Sequence, residues 1–185
     1  IAIGITKMFG MHYQENFNRP YFAENIREFW DRWHISLSTW LRDYIYFPLG
    51  GSRCAKWRAK LNVLIVFLIS GFWHGSGLNF LLWGLYHGVV TILTPRRKEK
   101  RKGFLHGLSV FINFIVVMLG WVLFGTSSFG TAFTYYKGMV QHLSLSFGAI
   151  QNMILPFTND NTAPAFLLTV MAFILILFLR ELYEE

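Results

Sequence analysis

Charged residues are scarce in this chain: they make up 15% of its 185 residues, whereas 54% are hydrophobic and 18% are aromatic. Soluble domains carry roughly a quarter charged residues, so the chain lacks the polar surface that water requires. The high hydrophobicity excludes a disordered chain. The abundance of aromatic side chains is typical of proteins that lie in a membrane and place these rings at its interfaces.

Cysteine and acidic residues are also scarce. Cys54 is the single cysteine, which excludes a disulfide framework within the chain and a zinc site of the Cys₄ or Cys₂His₂ type. Aspartate and glutamate together number 10, so catalysis by paired carboxylates is disfavoured. The sequence contains no HExxH, GxSxG, Walker A or Rossmann glycine pattern, and we expect no metal ion. Histidine remains as the candidate base.

Positive charge is concentrated in two clusters beside apolar segments, and the net charge is +7. One cluster lies at 53–60 and the other at 96–102. A basic chain often binds nucleic acid, but basic residues that flank apolar segments are typical of membrane topology signals. We therefore expect no nucleic-acid partner, and we place both clusters on the cytoplasmic side of a bilayer.

Four apolar runs predict an all-α fold, a multi-pass helical bundle in the membrane with amphipathic helices between the spans. The first two runs are too short to cross alone, since a span needs about 20 residues. They therefore form a shallow hairpin whose irregular turn lines a cavity. The predicted spans are 61–73, 78–94, 104–124 and 163–180.

Two further stretches carry hydrophobic residues at helical spacing but are too polar to face lipid. The stretch at 22–47 is predicted to be helical, and it lies either in the membrane interface or inside a helix bundle. The stretch at 132–155 is predicted to lie on the outer membrane surface. We expect that 1–185 forms a single membrane domain that is a piece of a longer protein.

His74 is the first candidate for chemistry, because it lies among glycines at the predicted turn. An ionisable residue at membrane depth is a functional candidate by default. A neutral imidazole can accept a proton from a hydroxyl near neutral pH, as a general base does. The alternative is a structural hydrogen bond between helices, and the residues alone leave the two interpretations balanced.

Two other histidines have aromatic or small neighbours. His34 follows Trp30 and Trp33, and it either assists a base or is a structural histidine packed by aromatic rings. His87 lies between Gly84 and Gly88, a small-residue packing pattern, so we expect it to hydrogen-bond across a helix contact. These two residues and His74 are the candidates for handling protons in the membrane.

The adjacent pair Arg42 and Asp43 lies beside tyrosines. We predict that the two side chains form a buried ion pair with a structural role. The alternative is that Arg42 steers an anionic group. His12, His106 and His142 have no supporting neighbours and are expected to be interface or loop residues.

Two stretches resemble the motifs of a known family. The sequence EFWDRWHISLSTWLRDYIYFPLGGSR at 28–53 looks like the hallmark stretch of the membrane-bound O-acyltransferase (MBOAT) family, and SGFWHG at 70–75 resembles its second motif. The lead-in at 1–21 is similar to that of the branch that O-acetylates alginate. The resemblance is specific over the motif-bearing region 1–95 and loose over 104–185. It implies that the chain is the C-terminal portion of a longer multi-pass protein.

The resemblance also implies an activity and its residues. His74 would be the catalytic base and His34 the second motif histidine. The oxyanion would be stabilised by the amides of 75–77 or by His34. Arg42, Asp43 and His87 are expected to be structural or supporting residues. Candidate residues of the substrate tunnel are Trp30, Trp33, Trp73, Gly75 and Ser76.

The implied reaction moves an acyl group, expected to be acetyl, to hydroxyls of an extracytoplasmic polysaccharide. The donor would be a cytoplasmic thioester, either acetyl-CoA or an acyl carrier, with no bound cofactor. The expected location is the bacterial cytoplasmic membrane, and the expected partners are the lipid bilayer, a periplasmic or extracellular acetyltransferase and the polysaccharide.

Three alternatives stay open at this point. The first is the related D-alanyl transfer to teichoic acid, which would use the same histidines. The second is a membrane transporter with a proton relay through His34, His74 and His87. The third is a scaffold without catalytic activity.

Overall fold

A computed structural model describes residues 2–11, 14–96 and 101–141. These residues are helical and include no β-strand. The α-helices are α1 (Ala2–Met8), α2 (Ile26–Arg32), α3 (Ile35–Leu41), α4 (Lys56–His74), α5 (Leu78–Leu93), α6 (Phe104–Gly125) and α7 (Phe129–Gln141).

The described residues up to Tyr135 form one compact unit, which contains every element discussed below. The predicted span at 163–180, most of the stretch at 132–155, His12 and His142 lie outside the described residues.

Helices α4 and α5 form an antiparallel hairpin with closely spaced backbones. A Cβ atom on Gly84 would collide with the backbone carbonyl oxygen of Phe67, and one on Gly71 would collide with that of Phe80. A Cβ on Gly88 would lie 2.9 Å from a methyl carbon of Leu64. Small residues that allow such an approach are typical of helix pairs in membranes. The predicted packing face at Gly84 and Gly88 is therefore confirmed.

The hairpin brings the beginning of α4 and the end of α5 to the same end of the structure. Helix α4 begins at Lys56, within the first cluster, and α5 ends at Leu93, just before the second. Because the two helices are antiparallel, the beginning of α4 lies beside the end of α5. The common location of the two clusters on the cytoplasmic side stays a prediction.

Of the helices that the structure describes, α6 alone is long and apolar enough to cross a membrane by length and composition. Its most apolar 18-residue window has a mean hydropathy of 2.3. Two of its polar residues, His106 and Asn113, have partners just before α2. His106 Nδ1 lies 2.7 Å from Glu24 Oε1, and Asn113 Nδ2 donates to the carbonyl oxygen of Ala23 at 2.9 Å. These contacts attach α6 to the residues before α2.

The amphipathic stretch at 22–47 is not one continuous helix. Helix α2 ends at Arg32 and α3 begins at Ile35, and the break contains His34 in a left-handed backbone conformation with φ 46°. Periodicity misses this break because hydrophobic residues recur at helical spacing on both of its sides. Ile26 and Phe29 of α2 are buried together with Val117 of α6, so the stretch packs inside the unit.

Candidate active site

A cavity of about 340 Å³ lies between α2, α3, α4, α5 and α6. This volume is in the range of small-molecule sites, and so is the mainly apolar wall with a few polar groups. The aromatic and imidazole rings in the wall belong to Trp30, Trp33, His34, Phe67, His74, Trp83, Trp121 and Phe124.

His74 is the last residue of α4, and its imidazole stands among aromatic rings. The ring centroid lies 4.8 Å from that of Trp73, 5.3 Å from that of Trp83 and 4.9 Å from that of Phe124. All these rings are nearly perpendicular to the imidazole, an arrangement in which positive ring edges meet negative faces. The contacts hold His74 at the cavity wall.

His34 is held in the break between α2 and α3. Its φ of 46° and ψ of 53° lie in the left-handed region, where a residue other than glycine is strained by about 1 to 3 kcal/mol. Its Nδ1 is buried and has no hydrogen-bond partner among the described residues. Its ring lies 6.3 Å from that of Trp73 and 6.2 Å from that of Phe17. Strain at such a residue persists only where the surroundings impose it.

The fold thus brings His34 and His74 to the wall of the same cavity. Trp30 and Trp33 also line this cavity, and their role in a substrate tunnel stays a prediction. Trp73, Gly75 and Ser76, which the sequence also assigned to the tunnel, do not line this cavity. Trp73 lies in the last turn of α4 and is 60% exposed, and Gly75 and Ser76 lie in the turn that leads to α5.

Gly75 has a structural explanation. A Cβ at this position would lie 2.6 Å from a ring carbon of Phe80. Its amide donates to the carbonyl oxygen of Phe72 at 3.2 Å. Because that hydrogen bond closes the end of α4, the Gly75 amide, which is one of the candidate oxyanion donors, already has an acceptor.

Arg42 and Asp43 lie in a π-helical turn, Arg42–Tyr46, that follows α3. Arg42 Nε lies 3.3 Å from Asp43 Oδ1, and the two side chains are 53% and 46% exposed. The pair therefore exists, but the prediction that it is buried is wrong. Arg42 lines the cavity, whereas Asp43 does not. An exposed pair of this kind contributes little to stability.

His87 lies behind the cavity wall and is 0% exposed. Neither of its ring nitrogens has a hydrogen-bond partner among the described residues, so the expected bond across the helix contact is absent. The imidazole is instead enclosed by rings, including Trp30 and Trp83 at 5.1 Å each. A Cβ on Gly120 of α6 would collide with His87 Nε2. His87 thus packs directly against the backbone of α6.

Several residues of the wall were missed by sequence reasoning. Trp83, Trp121 and Phe124 lie in apolar helices, where an aromatic residue is most often part of the core. A usable signal was that each of them is at helical spacing from a neighbour in the same ring cluster: Trp83 precedes His87 by one turn, and Trp121 precedes Phe124 by about one turn. Tertiary packing was needed to place them beside His74.

Asp31 is the acidic residue of the cavity wall. Partial burial, and then the nearby carboxylate of Glu28, raise the pKa of the Asp31 carboxyl above its ordinary value. The guanidinium of Arg42 acts in the opposite direction. Among the described residues, no group of histidine, cysteine and acidic side chains is gathered in a way that could hold a metal ion.

This helical unit, with two histidines in an aromatic cavity, can now be compared with known proteins. A family model described as the membrane-bound O-acyltransferase family, MBOAT, matches residues 1–129. Because this range covers well over half of the chain, the chain belongs to that family, and the resemblance of its motifs is confirmed.

The relatives that the chain matches act on different acceptors according to their names. It is 36% identical over 187 residues to the probable alginate O-acetylase AlgI of Pseudomonas aeruginosa. This match covers 100% of this chain and 35% of that protein. It is 38% identical over 172 residues to the peptidoglycan O-acetyltransferase of Helicobacter pylori, with coverages of 87% and 32%. It is 36% identical over 96 residues to the teichoic acid D-alanyltransferase of Bacillus subtilis, with coverages of 48% and 24%. The chain spans about a third or less of these relatives.

Proposed function

We propose that this chain is the histidine-bearing part of a membrane-embedded O-acyltransferase that moves acetyl groups from a thioester donor toward the hydroxyls of an extracytoplasmic polysaccharide. The observation that carries the proposal is the meeting of His34 and His74 at one aromatic cavity in a member of this family. The names of relatives that match most of the chain, an alginate O-acetylase and a peptidoglycan O-acetyltransferase, support acetyl as the group and a glycan as the acceptor.

In the proposed reaction His74 acts as the general base. It accepts the proton of an acceptor hydroxyl while the hydroxyl oxygen attacks the carbonyl carbon of a thioester. The tetrahedral intermediate then collapses, the carbon–sulfur bond breaks and the thiol leaves with the proton from His74. The new ester bond takes the place of the thioester bond, so atoms and charges balance. No covalent intermediate on the protein is required.

We assign to His34 the stabilisation of the oxyanion. Its Nδ1 has no hydrogen-bond partner among the described residues, and its ring shares the cavity wall with His74. A donor that is fixed before the reaction stabilises developing charge more effectively than water does, because it needs no reorganisation. This assignment is favoured over the amide of Gly75, which already donates to Phe72.

The proposed setting is a multi-pass protein of the bacterial cytoplasmic membrane. The donor would be a thioester, carried by coenzyme A or by an acyl carrier, that enters from the cytoplasmic side. A periplasmic or extracellular acetyltransferase would receive the group and pass it to the polysaccharide. The exposed apolar residues of α6, including Phe111 at 61% and Ile112 at 52%, are suited to contact with lipid.

The test is the O-acetyl content of exported polysaccharide in cells that carry the intact protein with His74→Ala. We expect a loss of at least roughly 100-fold, the contribution of a general base. The matched control is His106→Ala, since His106 lies outside the cavity and pairs with Glu24. At equal membrane levels the control should retain acetylation. Normal acetylation in the His74 variant would contradict the proposal.

The same strains distinguish the second candidate function, D-alanyl transfer to teichoic acid. The match to the teichoic acid D-alanyltransferase supports it, although that match covers 48% of the chain. Loss of D-alanine esters together with unchanged O-acetyl groups would favour this candidate. If neither ester depends on His74, the transport and scaffold interpretations would replace both.

A further inference from the structure

The break between α2 and α3 requires an explanation, because left-handed backbone is uncommon in residues other than glycine. The side chain of His34 makes no capping hydrogen bond to α3. The first amides of any helix lack partners within that helix and need acceptors from elsewhere. Something outside the helix must therefore satisfy α3 and hold the backbone of His34.

Asn16 supplies these acceptors from another part of the chain. The amide of Ile35 donates to the backbone carbonyl oxygen of Asn16 at 3.0 Å. The amide of Ser36 donates to Asn16 Oδ1 at 2.9 Å, and the hydroxyl of Ser36 donates to the same atom at 2.5 Å. A side-chain oxygen that accepts from the first amides of a helix is the function of an N-cap residue. Asn16 thus caps α3 although it is remote in sequence.

The neighbours of Asn16 hold the other side of the break. The amide of Asn18 donates to the carbonyl oxygen of Arg32 at 2.9 Å. Phe17 forms an antiparallel bridge with Trp33, and their rings lie 4.9 Å apart. Residues 16–18 therefore run along the break and bond to it both before and after His34.

We propose that Asn16 is a positioning residue for His34. By accepting from the residues that directly follow His34, it fixes the left-handed turn and so directs the imidazole to the cavity wall. Asn16 itself does not line the cavity. The inference that this positioning serves catalysis rests on the proposed function of His34.

The test compares Asn16→Ala and Asn16→Asp in the intact protein in membranes. In Asn16→Ala we expect kcat to fall by roughly 10- to 100-fold, the effect of a misplaced catalytic group, with little change in KM because the rest of the cavity wall remains. Asn16→Asp should restore kcat, since a carboxylate offers the same acceptor and suits a helix N-terminus. Rescue of kcat by Asn16→Asp would show that Asn16 acts through its acceptor oxygen at the start of α3 and not through general packing.

A second measurement reports the position of His34 without using activity. Diethyl pyrocarbonate modifies imidazoles according to their accessibility and environment, and mass spectrometry follows the rate at His34. This rate should change severalfold in Asn16→Ala and return to the wild-type value in Asn16→Asp. The matched control is Asn62→Ala, which loses bonds to the carbonyl oxygens of Leu49 and Gly51 away from the cavity. This control should keep the wild-type kcat and the wild-type rate of His34 modification.

The two measurements separate the two proposals. Wild-type kcat and wild-type His34 modification in Asn16→Ala would overturn the positioning of His34 by Asn16, and so would a failure of aspartate to restore either value. If the modification rate changes in Asn16→Ala while both Asn16→Ala and His34→Ala keep full activity, the positioning is supported and the catalytic role proposed for His34 is wrong.

Discussion

The four histidines that the structure describes have different surroundings, and these surroundings decide what each can do. His34 and His74 stand at the cavity wall, where a substrate can reach them. His87 is fully enclosed by rings, and His106 is held by the carboxylate of Glu24. The same residue type therefore supplies two candidates for catalysis, one packing residue and one contact between elements.

Asp31 gives a prediction at the residue scale. Because its pKa is raised in the folded chain, the folded state binds this proton more tightly than the unfolded state does. The charged carboxylate of Asp31 thus lowers the free energy of unfolding at neutral pH. This destabilisation disappears as the pH falls through the raised pKa towards the ordinary range of aspartate. Asp31→Asn should therefore be at least as stable as the wild type at neutral pH.

The measurement is the midpoint of thermal unfolding in detergent between about pH 7 and about pH 4. The difference between Asp31→Asn and the wild type should shrink as the pH is lowered. Asp31 is partly exposed, so the difference should be small. If acidification instead made the wild type less stable relative to Asp31→Asn, the prediction of a raised pKa for Asp31 would be wrong.

At the scale of elements, the contact between α5 and α6 depends on one glycine. A Cβ on Gly120 would collide with His87 Nε2 and lie 3.2 Å from a ring carbon of Tyr86. We expect Gly120→Ala to lower the free energy of unfolding by about 1 to 3 kcal/mol, as overpacking does. Adding His87→Ala removes the obstructing ring, so the double variant should be more stable than the sum of the two single effects predicts.

Gly107 is the matched control on the same helix, because a Cβ there would meet nothing within 4 Å. Alanine forms helices more readily than glycine, so Gly107→Ala should be neutral or stabilising by up to about 1 kcal/mol. Chemical unfolding in detergent micelles measures all of these variants. Equal effects at both glycines would show that helix propensity, and not the contact with His87, determines the result.

At the scale of the whole molecule, the beginning of α4, within the first basic cluster, lies beside the end of α5, which the second basic cluster follows in the sequence. Basic residues beside apolar helices favour the cytoplasmic side of a membrane. If α6 crosses the membrane, its first residue should be cytoplasmic and the residues after its end should be outside. The orientation of α6 is therefore predicted by the charges at its beginning.

Cysteine labelling tests this orientation. After Cys54 is replaced by alanine, Phe104→Cys and Ser127→Cys place single thiols at the two ends of α6, at positions that are both exposed in the structure. A membrane-impermeant maleimide applied to intact spheroplasts should label Ser127→Cys and not Phe104→Cys, and lysis should expose the latter. Labelling in the reverse order would invert the topology, and labelling of both would show that α6 does not cross.

The features that could be predicted are those that depend on residues close together in the sequence. Helix α6 agrees closely with the predicted apolar run at 104–124, because twenty or so apolar residues in sequence dictate a helix by themselves. The packing of Gly84 and Gly88 was also predictable from their spacing. The break at His34 was not, because its cause lies in the hydrogen bonds of Asn16, which are invisible to periodicity.

The sequence by itself determined the helical class, the family and the histidines worth considering, because hydropathy and motifs are properties of adjacent residues. The tertiary structure decided which residues share a cavity: Trp83, Trp121 and Phe124 join His74 only when three helices pack together. It also decided that the pair of Arg42 and Asp43 is exposed. Burial and neighbours depend on contacts between distant parts of the chain, and these contacts arise only when the chain folds.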